Sequence, residues 1–147
     1  MRTAELLRLH WQHIDFDAGV IRLPRQVTKT GAKRQVPIQP NLRAWLAPFA
    51  GRAGLVFASE KAHDRTIAQA KAKEIDWPSN WARHSFGTYR ATITKSVGQV
   101  SLEMGNSEGI VKPHYFDQHA NEKDAREWFA ILPEAPPANV VQMKGTA

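Results

Sequence analysis

Apolar and polar positions follow a helical period over most of this chain and a strand-like alternation only near its N-terminus. From Thr3 to Trp11, Leu6, Leu7, Leu9 and Trp11 flank Glu5 and Arg8, the spacing of a short amphipathic helix. Residues 15–19 (DFDAG) read as a turn. The apolar runs 20–23 (VIRL) and 35–38 (QVPI) lie on either side of a polar stretch, 28–34, centred on Gly31. That layout predicts a β-hairpin with a basic tip. Pro37 has no ladder donor, which assigns its strand to a sheet edge.

Pro40 and Asn41 open a helix through Leu42, Trp45, Leu46 and Phe49, closed near Gly51. Residues 55–57 (LVF) are a candidate third strand. Helical patterns return at 64–74, 80–94 and 99–104, followed by a turn at 105–107 and a short helix ending near Pro113. A last helix, 122–131, carries Trp128 and Phe129, and from Pro133 the Pro- and Ala-rich chain reads as a disordered tail. The predicted class is α+β, mostly α: a helical body with a small antiparallel sheet.

Composition narrows the classes of function. The chain has 147 residues, of which 42% are hydrophobic and 23% charged, enough for one domain with a core. It contains no cysteine, which excludes disulfides, thiolate metal sites and a cysteine nucleophile, and fits a reducing, cytoplasmic setting. No apolar run approaches the length of a membrane span, and the N-terminus lacks a signal-peptide layout. The net charge is +6 and unevenly placed. Residues 1–95 hold 16 basic and 7 acidic side chains, net +9, whereas residues 96–147 hold 4 and 7, net −3. A basic body suggests a polyanionic partner; a plain solvated basic surface is the alternative.

Phosphate-loop, dinucleotide, zinc-protease and serine-hydrolase signatures are all absent from the sequence. His10 and His13 are spaced like a metal pair but have no third ligand, so no metal is expected, and Asp15 and Asp17 suit a turn. What remains is a set of cations and one tyrosine: Arg2, Lys29 in TKTGAKRQVPI, Arg83 and His84 in NWARHSFGTY, and Tyr115 in HYF. Cations around a phenol suit phosphoryl transfer to tyrosine. Guanidinium forks grip phosphodiester oxygens, the phenol attacks phosphorus, and a lysine protonates the departing oxygen. Each residue also has a plain explanation, as a surface charge, a helix cap or, for the tyrosine, core packing.

At these residues the sequence resembles the catalytic domain of the tyrosine recombinases, or phage-type integrases. RTAELLRLHWQHIDFDAG resembles their first-arginine box and TKTGAKRQVPI their hairpin lysine box. NWARHSFGTY resembles the His-x-x-Arg-His box, and LEMGNSEGIVKPHYFD the Leu-Gly-His box with its following tyrosine. The resemblance implies that Arg2 and Arg83 bind phosphate, that Lys29 is the general acid with Lys33 as second claimant, and that Tyr115 is the nucleophile. It gives His84 a supporting role, and Lys33 and Arg34 are expected beside it as DNA-binding or supporting residues. Asn80 and Asn106 stand where the family most often has His, and His or Trp. An amide donates a hydrogen bond but does not relay a proton near neutral pH.

The implied function is site-specific cleavage and rejoining of double-stranded DNA through a 3′-phosphotyrosyl intermediate, with no cofactor, by a tetramer on DNA. Residues 1–132 would form the catalytic domain, N-terminally truncated relative to the family and lacking its core-binding domain, with 133–147 as the tail. Tyr115, just past Pro113, is expected to leave its helix and point into a cleft. Tyr89, within a helical pattern beside Phe86, is expected to be packed. Two rival readings are an inactive mobile-element remnant and a non-catalytic DNA-binding protein whose helix-turn-helix spans Val97 to Pro113.

Overall fold

Arg2 is the N-cap of the first helix, and Glu5 at the third helical position reaches back to its backbone N–H. The computed structural model describes residues 1–29, 31–57, 59–74, 78, 80–116 and 120–134. The tail expected at 133–147 therefore lies outside the described residues from 135 onward. Helix α1 covers only Thr3–Leu6, shorter than the leucine spacing predicts, and a 3₁₀ turn follows at Trp11–His13. The backbone between them is diverted into pairing: Trp11 N donates to Gly54 O, Val56 N donates to Leu9 O, and His10 bridges Leu55. Residues 55–57 thus pair with this segment and do not join the sheet.

The third strand lies instead just ahead of the expected turn, which forms at residues 16–19. Strands β1 (Ile14–Asp15), β2 (Val20–Leu23) and β3 (Arg34–Pro37) form an antiparallel sheet in that order, so Pro37 does lie on an edge. Asp15 starts the β1–β2 turn by accepting from Ala18 N at 2.8 Å, and Gly19 takes the left-handed conformation the turn requires (φ +65°). Register places Ile14, Ile21 and Val36 abreast on one face. They join Leu9, Leu23 and Val27 in the first core. Alternation of buried and exposed residues along β2 is the reason this register holds.

The second half is helical. Helices α2 (Pro40–Leu46), α3 (Glu60–Ala72), α4 (Trp81–Thr94), α5 (Val97–Met104), α6 (Glu108–Val111) and α7 (Glu122–Phe129) follow, the second extended by a 3₁₀ turn at Ala47–Phe49. Lys95 ends α4 in the left-handed region, and the Ser96 side chain caps α5 by accepting from Gln99 N. A second core forms from Ala91, Val100, Met104, Val111 and Tyr115. Full burial of side chains such as Val100 and Val111 is worth about 1.5–3 kcal/mol each. Helix α7 closes α4 from the other side, where Trp128 meets Phe86 and Tyr89. Tyr89 is half-buried there.

Helix α6 is one turn long and then widens into a π-helical turn, Lys112–Phe116. A recognition helix of the length that groove reading needs is not formed in this segment. Among the described residues, no helix is long and apolar enough to cross a membrane. Helix α5 packs against both β3 and α4, and so forms the junction between the sheet and the helical half.

Candidate active site

Five donors from three residues converge on the carboxylate of Glu5 from the sheet side of that junction. Its oxygens accept from Arg2 N at 2.8 Å and Arg2 Nη1 at 3.3 Å. They also accept from both prongs of Arg34, at 3.1 and 2.8 Å, and from Lys29 N at 3.3 Å. Glu5 is 0% exposed. Burial pushes its carboxyl up, but the hydrogen bonds from Arg34 and the Arg2 amide outweigh this and hold it at about 2. A permanent buried anion therefore fixes Arg2, the hairpin backbone at Lys29 and Arg34 relative to one another.

From the helical side, the end of α5 supplies acceptors. Arg83, in the first turn of α4, donates from Nη2 to Met104 O at 2.9 Å. Arg2 donates from Nη2 to Gly105 O at 3.1 Å and to Asn106 Oδ1 at 2.6 Å. Because Asn106 Oδ1 faces Arg2, its Nδ2 group remains the donor end. Arg83 Nη1 is buried and has no hydrogen-bond partner among the described residues. Burial, and next the nearby charge of Arg2, push the Arg83 pKa down. An unmet buried donor costs about 1–3 kcal/mol, and that cost is relieved when an anion binds.

Tyr115 comes from the π-helical turn and is 4% exposed, so it does not leave its helix at Pro113 as the sequence suggests. Pro113 has no N–H for the α-helical ladder, and the chain widens by a residue instead of stopping. The ring lies against α4 at Gly87, where a Cβ would stand 2.6 Å from Tyr115 Cε1. Its hydroxyl is 3.5 Å from Nδ1 of the exposed His84. Burial raises the Tyr115 pKa, and the charges of Arg83 and Arg2 pull it back in part.

One open cleft gathers most of the residues singled out from sequence. Arg2, Lys29, Asn80, Arg83, His84, Asn106 and Tyr115 all line it. Lys33 lies apart, in a groove with Gln12, His13 and Arg22. Arg34 lines that second groove too, but its guanidinium is turned inward onto Glu5 and its side chain is only 10% exposed. Of the two roles expected of Arg34, DNA binding or support, the geometry is that of a brace beneath the cleft. Asn80 is the N-cap of α4 at φ 59°, a left-handed position that Asn tolerates well.

Sequence reasoning missed Glu5, which stood in the Arg-x-x-Glu spacing, and Arg8 and His114, which also line the cleft. Among the described residues no group of three or more His, Asp or Glu side chains is arranged to hold a metal. The assembly is a cleft lined by Arg2, Arg8, Lys29 and Arg83 with a phenol in its wall. That combination can hold a phosphodiester against a hydroxyl.

Residues 1–105 match the phage integrase family. The chain belongs to that family, the tyrosine recombinases. A shufflon-specific DNA recombinase of Escherichia coli is 46% identical over 46 residues, 31% of this chain. The chain matches only 12% of the length of that recombinase. No solved structure matches the chain. The integrase match ends one residue before Asn106, so Asn106 and Tyr115 are tied to the site by geometry and by their spacing from Gly105.

Proposed function

We propose that this integrase domain cleaves and rejoins DNA strands at its cationic cleft, with Tyr115 as nucleophile. The observation that carries the reading is that Arg2, Lys29, Arg83 and Tyr115 line one open cleft. Arg83 and Arg2 take the non-bridging oxygens of one phosphodiester, and the Asn106 amide donates a further hydrogen bond. Tyr115 Oη attacks phosphorus, forming a phosphotyrosine ester at the 3′ side as the bond to the 5′ oxygen breaks. Lys29, exposed at the cleft edge, gives a proton to that leaving oxygen. Rejoining reverses these steps with a 5′ hydroxyl as nucleophile, and the ester conserves the energy of the bond that was broken.

The reaction leaves a covalent protein–DNA adduct that a nicked suicide substrate traps. The parent protein is expected to form such an adduct, and Tyr115→Phe to form none while binding DNA as before, since only one oxygen is removed. Tyr89→Phe should keep the adduct. An adduct on the Tyr115→Phe protein, or none on the parent with any suicide substrate, overturns the reading.

A further inference from the structure

An attacking phenol must lose its proton, and the cleft limits where that proton can go. Its arginines and its lysine are donors with no lone pair to offer at neutral pH. The amides of Asn80 and Asn106 are not bases, and Asn106 Oδ1 is already occupied by Arg2. Glu5 is beneath the cleft with its carboxylate shared among Arg2, Arg34 and Lys29 N. Two imidazoles remain among the described residues of the cleft, His84 and His114.

Geometry separates those two. His84 Nδ1 is 3.5 Å from Tyr115 Oη, with the rings 5.8 Å apart and tilted by 38°. For His114 the rings are 6.3 Å apart and no hydrogen bond to the phenol is formed. The two partners also differ in exposure: the phenol is buried, whereas His84 is exposed and can pass a proton on to water. Catalytic hydrogen bonds are commonly long before substrate binds and shorten in the reacting complex.

We propose that His84 is a catalytic residue of this chain, the base that takes the Tyr115 proton through Nδ1. This rests on the cleavage reading above. As the Oη–phosphorus bond forms, the phenol proton passes to Nδ1 and leaves an imidazolium, while the leaving 5′ oxygen takes its proton from Lys29. The charges balance, and on rejoining His84 returns the proton to the tyrosine oxygen. Gly87, one turn along α4, seats the ring so that its hydroxyl meets His84 on the same helix.

The test is single-turnover adduct formation on a suicide duplex by parent, His84→Gln and His84→Ala proteins, with DNA affinity measured in parallel. His84→Gln keeps a hydrogen-bonding side chain but cannot take a proton. It is expected to slow adduct formation about a hundredfold, the usual size of a lost general base, with affinity within about threefold. Imidazole and substituted imidazoles of graded basicity should restore the His84→Ala protein, faster as basicity rises. Parent-like rates in His84→Gln, or restoration independent of basicity, overturn the proposal. The contact is tested without activity by nitrogen-15 NMR: the His84 Nδ1 signal should move in Tyr115→Phe and stay in place in Tyr89→Phe. An unmoved signal in Tyr115→Phe also overturns it. A parent that forms no adduct overturns the cleavage reading itself, whatever the NMR result.

Discussion

Replacing Glu5 by Gln removes one charge and changes almost no volume, yet it takes the anion from beneath two cations. The folded protein holds this carboxyl at about 2, against 4.5 for an unperturbed glutamate. At about 1.4 kcal/mol per pH unit, that gap is worth roughly 3 kcal/mol to the folded state. The sign follows from the depressed pKa: the contribution is complete above pH 4.5 and disappears as the pH falls toward 2. An amide in its place also leaves Arg34 buried and without its counter-charge, and breaking such a pair costs about 3–5 kcal/mol. Total stabilities of small domains are only about 5–15 kcal/mol.

Urea unfolding of parent and Glu5→Gln proteins should therefore differ by about 3 kcal/mol at pH 7. The difference should shrink between pH 4.5 and 2, because the protonated parent carboxyl then resembles the amide. A gap that stays constant across that range would show that Glu5 supports the fold by shape alone. A gap below about 1 kcal/mol at pH 7, the value of an exposed pair, would show that the burial does not matter energetically.

Arg83→Lys should slow adduct formation more than about tenfold while DNA binding changes little, since one ammonium cannot reproduce a two-pronged grip; equal losses in both would reduce Arg83 to a charge contact. DNA affinity should fall with salt, log K against log salt having a slope of about −4 to −5 if some five phosphates are neutralised. A flat anisotropy titration would contradict a DNA partner. Lys29→Ala should slow cleavage on a suicide duplex, whereas Lys33→Ala should cleave at the parent rate, because Lys33 lines a different groove.

The elements that were legible in the sequence are those set by local rules. The hairpin followed from the apolar runs on either side of Gly31, and α4, α5 and α7 from apolar spacing. The strand at Ile14–Asp15 was hidden because two residues give no alternation to read, and their pairing with Val20 and Ile21 shows only in three dimensions. Most cleft residues were found because they sit in recognisable boxes. The Glu5–Arg34 pair was not, since its partners are 29 residues apart and nothing local marks the carboxylate as buried. Tyr115 was found as a residue but not in its setting: Pro113 signals a helix end, whereas the chain continues as a wider turn that carries the ring inward.

Both cleft arginines depend on one helix end. Two guanidiniums so close repel each other, and what offsets this is the C-terminus of α5, whose last carbonyls have no helical partners and carry partial negative charge. Met104 O takes Arg83 and Gly105 O takes Arg2. Gly105 turns the chain there at φ +67°, and a Cβ on it would stand 2.6 Å from Arg34 Nη1, so backbone conformation and packing both demand glycine. Helix α5 is itself held by a second buried fork, in which Arg90 donates to both oxygens of Glu103 at 2.9 Å. Arg83, Gly87 and Arg90 fall at i, i+4 and i+7, a single face of α4. That face anchors one arginine, seats the tyrosine ring and clamps the helix whose end holds the other arginine. The two buried ion pairs, Glu5 with Arg34 and Glu103 with Arg90, secure the two sides of this platform. An apolar substitute could match their stability, but it could not direct carbonyls and guanidiniums to one point in the cleft.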